Sequence, residues 1–146
     1  MKNRQENELK KFNCLYKELD DLYHEIALKN NLSDSAFSIL YAIVELGDGC
    51  LQTDIAKYCS ISKQTIHTSA KNLEKHGYLT FQSGRGRDMH LYLTEAGKKL
   101  TEEKILPVCE LENSVFLEMS PNERSQLLHL TEKYMEIFRT KVTKIL

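Results

Sequence analysis

The chain is poor in the residues that interrupt helices. Among its 146 residues it has two prolines and six glycines, which argues for long unbroken helices. It has no apolar run long enough to span a bilayer. Its opening, MKNRQENELKKFN, lacks the apolar core of a secretory signal. These two absences point to the cytoplasm and away from a membrane partner. The four cysteines, Cys14, Cys50, Cys59 and Cys109, are scattered, with no CxxC and no paired-histidine spacing. They suggest neither a zinc site nor a disulfide framework, and read as reduced, partly buried small hydrophobes. A Gly-rich phosphate loop, GxSxG and HExxH are also missing, and the five histidines are dispersed. No catalytic residue, metal ligand or cofactor is expected, and an enzyme is the weakest of the function classes.

What is present is a chain with 41% hydrophobic residues, enough to fold as one globular domain over residues 1–146. Leu9, Phe12, Leu15, Tyr16, Leu19, Leu22, Tyr23 and Ile26 recur at helical spacing and make one apolar stripe. That predicts a long first helix ending near Lys29 and Asn30. Ser33 reads as the N-cap of a second helix, whose inner face is Phe37, Leu40, Ile43 and Val44. Gly47-Asp48-Gly49 ends it. Leu51, Ile55 and Ala56 mark a short helix, and Ser60 to Ser62 break it. Ser62 caps the next helix, whose inner face is Ile66, Ala70 and Leu73, and Gly77 stops it in a left-handed conformation. Two short helices around a tight turn are a helix-turn-helix pattern.

The outward face of the second of these helices carries Gln64, Thr68, Lys71 and Lys75, with Thr65, His67 and Asn72 on its flanks. Glu74, at the far end, is the helix's one acid. Gln pairs with adenine, a Thr methyl meets a thymine methyl, and Lys reaches guanine or phosphate. After Gly77 come two alternating runs, Leu79–Phe81 and Met89–Leu93, around the tip SGRGRD. They predict a hairpin whose Gly84 and Gly86 permit positive φ and whose Arg85 and Arg87 form a cationic finger. Such a finger suits a DNA backbone or a narrow minor groove. From Cys59 to His90 five basic residues stand against two acidic ones, a local +3 in a chain whose net charge is −1.

Taken in order, SKQTIHTSAKNLEKHGYL (Ser62–Leu79) and LYLTEAG (Leu91–Gly97) resemble the recognition helix and the wing-to-helix junction of the MarR family of bacterial regulators. The resemblance covers nearly the whole chain. It implies a mainly α fold with a small β-hairpin wing: a winged helix-turn-helix lobe at 33–93, and a dimerisation region at 1–30 and 94–146. It further implies a homodimer addressing a pseudo-palindromic operator in double-stranded DNA. On this reading Ser62, Lys63, Gln64, Thr65, His67, Thr68, Lys71, Arg85 and Arg87 contact the duplex. Arg87 stands where the family keeps its wing arginine. Two positions earlier the family commonly has an acid, and here it has Arg85, which leaves Asp88 as the candidate to orient Arg87.

The C-terminal residues agree. Thr94 caps a helix from Glu95 that runs to about Met119, with Pro107 kinking it or breaking a hydrogen bond. Ser120 to Glu123 form a capping box with a first-turn proline before a last amphipathic helix. Three long amphipathic helices exceed what one small lobe needs to cover itself. Leu9, Phe12, Leu130, Tyr134, Ile137 and Phe138 are therefore candidates for a dimer interface. Effectors in the resembled family are small aromatic or anionic molecules, and Tyr23, Phe37 and Tyr41 read either as the wall of an effector crevice or as plain core.

Two function classes remain. One is a sequence-specific DNA-binding regulator, a repressor released by a small effector or, through Cys14, by an oxidant. Lys10, Lys11 and Lys17 would activate that thiol, and Glu18 opposes them. The other is a winged helix used for protein interaction.

Overall fold

The structure, a computed structural model, describes residues 6–146. Residues 1–5, the start of the helical region anticipated at 1–30, lie outside the described residues. The described chain forms two compact units, one running to Leu106 and one from Pro107 to Leu146. Among the described residues no helix is long and apolar enough to cross a membrane.

The first unit contains α1 (Asn7–Lys29), α2 (Asp34–Leu46), α3 (Gln52–Cys59), α4 (Lys63–Lys75), β1 (Leu79–Ser83), β2 (Met89–Leu93) and α5 (Glu95–Lys104). Its boundaries follow the caps. Ser33 Oγ accepts the Ala36 amide at 3.1 Å, Ser62 Oγ accepts that of Thr65 at 3.2 Å, and Thr94 Oγ1 accepts that of Gly97 at 3.0 Å. Caps of this kind are worth about 1 kcal/mol each. Gly77 ends α4 at φ +85°, and Tyr78 N–H reaches back to the Leu73 carbonyl at 3.0 Å, the closure a left-handed C′ residue allows.

The core of this unit sits where α2, α3, α4 and the hairpin meet. Ile39, Leu40, Ile43, Ile55, Ile66, Leu79 and Leu91 are fully buried, and each contributes about 2 kcal/mol by leaving water. Ala56 and Ala70 are buried with them, and their small side chains let the helices of the pair approach closely. β1 and β2 pair antiparallel in register Leu79↔Leu93, Phe81↔Leu91, Ser83↔Met89. Leu51 adds an isolated bridge to His90, so the hairpin is stitched to the residue that opens α3.

The signature LTEAG has a steric reason. A Cβ on Gly97 would land on the Tyr78 carbonyl oxygen, and Thr94 Oγ1 also donates to the Gly77 carbonyl at 2.5 Å. The start of α5 is thereby pressed onto the end of α4. The two tip glycines serve different ends. Gly86 does take positive φ, at +65°. Gly84 is instead needed for space, because an added Cβ would stand 2.9 Å from the Asp88 carbonyl oxygen.

The second unit holds α6 (Leu106–Glu118) and α7 (Pro121–Ile145). Here the expectation of one helix from Glu95 to about Met119 is corrected. The helix ends at Lys104 and restarts at Leu106. Pro107 has no amide hydrogen to give, and its ring crowds the carbonyl four residues back, so the break falls just before it. Ser120 and Glu123 form the capping box, with reciprocal bonds of 2.9 and 3.1 Å. Glu123 is thereby held below the usual carboxylate range by the Ser120 amide first and its hydroxyl second.

Candidate nucleic-acid interface

α4 presents two chemically distinct faces because its sequence alternates at helical period. Ile66, Ala70 and Leu73 are buried, while Lys63, Gln64, Thr65, His67, Thr68 and Lys71 are exposed. An open groove of about 690 Å³ runs along this outer face. Gln64, Thr68, Asn72 and Lys75 line it together with Ser33, the N-cap of α2, and Ser35 within α2. Ser35 donates to Ser69 at 2.9 Å, which ties α2 to α4. Sequence periodicity placed Gln64, Thr68 and Lys75 outward. It gave no sign of Ser33 and Ser35, because their approach to α4 is a tertiary contact.

Several expected contact residues already have partners. Ser62 Oγ lies 3.2 Å from the Thr65 amide and 2.9 Å from Thr65 Oγ1, so its side chain is committed to capping. His67 Nδ1 stands 3.1 Å from Gln52 Oε1 of α3, and its ring meets Phe81 edge-on at 6.0 Å. Lys71, expected to point outward, is not a free cation. Its ammonium lies 3.2 Å from Glu74 and 4.3 Å above the Phe81 ring. It leans toward the wing strand and pairs with Glu74.

Arg85 and Arg87 are exposed at the hairpin tip. Among the described residues neither enters an ion pair. Asp88 does not orient Arg87, as the sequence suggested. Its carboxylate takes the Thr53 hydroxyl at 2.6 Å and the Met89 amide at 2.9 Å. Burial works against its ionised form, but these bonds, the Thr53 amide and the His90 charge outweigh it and hold the carboxyl below the usual carboxylate range. Thr53 was no candidate, since nothing local in the sequence links it to a residue 35 positions on.

The remaining candidates sit elsewhere. Tyr23 and Phe37 line a cavity of about 180 Å³ together with Asp20, His24, Asp34 and Ser38. Tyr41 is not among its lining residues, although its ring lies 6.0 Å from that of Phe37. Phe37 itself is buried core. In the first unit Leu9 is exposed and Phe12 half-buried on α1; in the second, Leu130, Tyr134, Ile137 and Phe138 are exposed on α7. Tyr134 and Phe138 stack at 5.9 Å. Cys14 is exposed, unlike the part-buried residue anticipated. Burial, reinforced by Asp54, Asp48 and Cys59, pushes the Cys50 thiol up to about 11, and burial raises Cys59 too. Neither is a reactive thiolate at neutral pH.

Residues 30–87 match the family model of the MarR family. No curated protein sequence matches the chain. Among solved structures, a MarR family regulator from Neisseria meningitidis superposes with a TM-score of 0.82 at 21% identity, over 97% of this chain and 100% of that one. The MepR–DNA complex of Staphylococcus aureus gives 0.71 at 20% identity, over 92% and 99%. Staphylococcus aureus MarR in complex with salicylate and kanamycin gives 0.69 at 22% identity, over 90% of each chain. The fold of the chain is that of MarR family winged-helix regulators.

Proposed function

We propose, from the MarR-family winged helix as premise, that this chain is a sequence-specific DNA-binding transcriptional regulator that works as a homodimer on a pseudo-palindromic operator. One observation carries the reading: an exposed polar α4 face stands beside a hairpin tip whose two arginines enter no ion pair among the described residues. A face meant to remain in water usually mixes both signs of charge. Here the one acid, Glu74, is spent on Lys71.

The roles follow from reach and chemistry. Gln64 and Thr68 address base edges in the major groove, and Lys63, in the first turn of α4, goes to phosphate, where the helix N-terminus adds its own field. Arg85 and Arg87 lie along the backbone or in the minor groove. The apolar faces of α1 and α7 supply the dimer contact, with 1–30 and 94–146 as the dimerisation region around a 33–93 lobe. The test is a salt-dependent shift of duplex DNA by the purified protein. Gln64→Ala should then cost about 1–3 kcal/mol on the selected site and relax specificity at one base pair. Equal losses on selected and random duplexes refute base readout by Gln64. No shift at any salt favours the protein-interaction reading.

Action as a repressor released by a small molecule is the finer part of the proposal. The complex of Staphylococcus aureus MarR with salicylate and kanamycin supports only its small-molecule-binding part. The cavity at Tyr23 and Phe37 contains Asp20 and Asp34, so an anionic effector would meet two carboxylates there. A neutral or cationic aromatic suits that cavity better.

A further inference from the structure

α3 begins without a cap of its own. Its N-cap position is Leu51, which offers no side-chain acceptor, so the first-turn amides lack the oxygen that Ser, Thr, Asp or Asn would supply. The acceptor comes from the wing. Asp88 takes the Thr53 hydroxyl at 2.6 Å and faces the Thr53 amide at 3.4 Å. The same residue closes the hairpin tip through its backbone: its carbonyl accepts from Gly84 at 2.9 Å and its amide donates to the Arg85 carbonyl at 3.2 Å. One residue therefore grips the helix-turn-helix with its side chain and shapes the arginine-bearing turn with its main chain. Just beyond it, the Leu51↔His90 bridge and the 2.7 Å bond from His90 Nδ1 to the Gly49 carbonyl fix the tip-proximal end of β2.

We infer that Asp88 is a positioning residue for nucleic-acid binding, a cap supplied across the fold that locks the wing tip, and with it Arg85 and Arg87, to the start of α3. The inference rests on the DNA-binding reading above. Its sign is opposite to that of simple electrostatics. Asp88 is a carboxylate in a cationic tip, so on charge alone its removal strengthens binding to a polyanion. As a clamp, its removal weakens binding, because two mobile arginines must be ordered again at each encounter.

The test uses the full chain and a fluorescent mixed-sequence duplex, read by anisotropy across a salt series. Asp88→Ala and Thr53→Val, the second an isostere that leaves the tip sequence intact, should each weaken binding about ten-fold, the scale of one hydrogen bond to a charged group. Both should flatten the salt dependence by roughly one counterion unit or more. Asp88→Asn keeps an acceptor oxygen and should recover part of the loss. In an Arg85→Ala, Arg87→Ala background all three should be silent. Tighter or unchanged binding overturns the proposal, and so does an equal loss when the arginines are absent. Hydrogen exchange of the Met89 and Gly84 amides in the free protein is the second measurement. Thr53→Val must speed it, and unchanged protection overturns the clamp whatever the duplex does. A wild type that ignores duplex at every salt concentration refutes the regulator reading instead, which the exchange result leaves distinguishable.

Discussion

Salt dependence separates the cations that reach phosphate from those that do not. α4 and the hairpin tip carry Lys63, Lys71, Lys75, Arg85 and Arg87. Lys71 is held 3.2 Å from Glu74 and packed on Phe81. The other four enter no ion pair among the described residues. With about 0.9 counterions released per phosphate neutralised, four cations from each chain of a dimer give a log–log slope of about −7. Arg87→Ala removes one cation per chain and should make the slope shallower by about 2. Between about 50 and about 200 mM salt that difference amounts to about a ten-fold change in the ratio of wild-type to variant affinity. Lys71→Ala should move the slope by less than half as much. The surface pair with Glu74 is worth under about 1 kcal/mol and does not forbid a phosphate contact, but it takes up part of the charge. Glu74→Gln should accordingly steepen the slope and tighten binding. Fluorescence anisotropy at five or six salt concentrations, with constant pH and temperature, reads all three. Equal slope changes for Arg87→Ala and Lys71→Ala would refute the assignment of charge made from the geometry.

Three further outcomes follow from the packing. Gly97→Ala drives a methyl onto the Tyr78 carbonyl and against Leu93 Cδ2 at 3.3 Å; it should cost about 1–3 kcal/mol in urea unfolding, and an unchanged midpoint would mean that α5 and α4 do not approach as described. Asp88 has a folded-state pKa below its unfolded value, so its stabilisation is fully present above the unfolded carboxylate range and is lost as pH falls through the folded value; the thermal midpoint of Asp88→Asn should therefore fall less than that of the wild type on acidification, and parallel curves would count against the bond to Thr53. Light scattering at micromolar concentration should give the mass of a dimer, and Ile137→Arg, at a 47% exposed position of α7, should give a monomer, since obligate homodimer interfaces are large and apolar; a monomeric wild type would remove the basis for the dimer.

How much of this was readable from the residues in order depended on how local the governing contact was. Ser33, Ser62, Thr94 and Ser120 cap helices within three residues of themselves, and all four were legible. So were the two runs of the hairpin, because alternation marks which side chains face the core; their register was not. Pro107 signalled a disturbance, but not that the helix would stop and restart. The helical wheel drew Lys71 as a free outward cation, since a wheel has no Phe81 from the next strand and no rotamer to bring Glu74 close. Asp88 was misassigned for the same reason. Beside Arg87 in sequence, it looked like that residue's partner. In space a better acceptor position was available at the uncapped start of α3, where one carboxylate satisfies a hydroxyl and lies against an amide that Leu51 cannot serve. Such a choice is decided by which part-buried donor lacks an acceptor, and that can be counted only once the chain is folded. The residues that would touch a duplex are thus largely a matter of period and composition. What holds them in place is a matter of which polar groups the fold leaves unsatisfied, and there Asp88 of the wing tip is bonded to Thr53 at the start of α3.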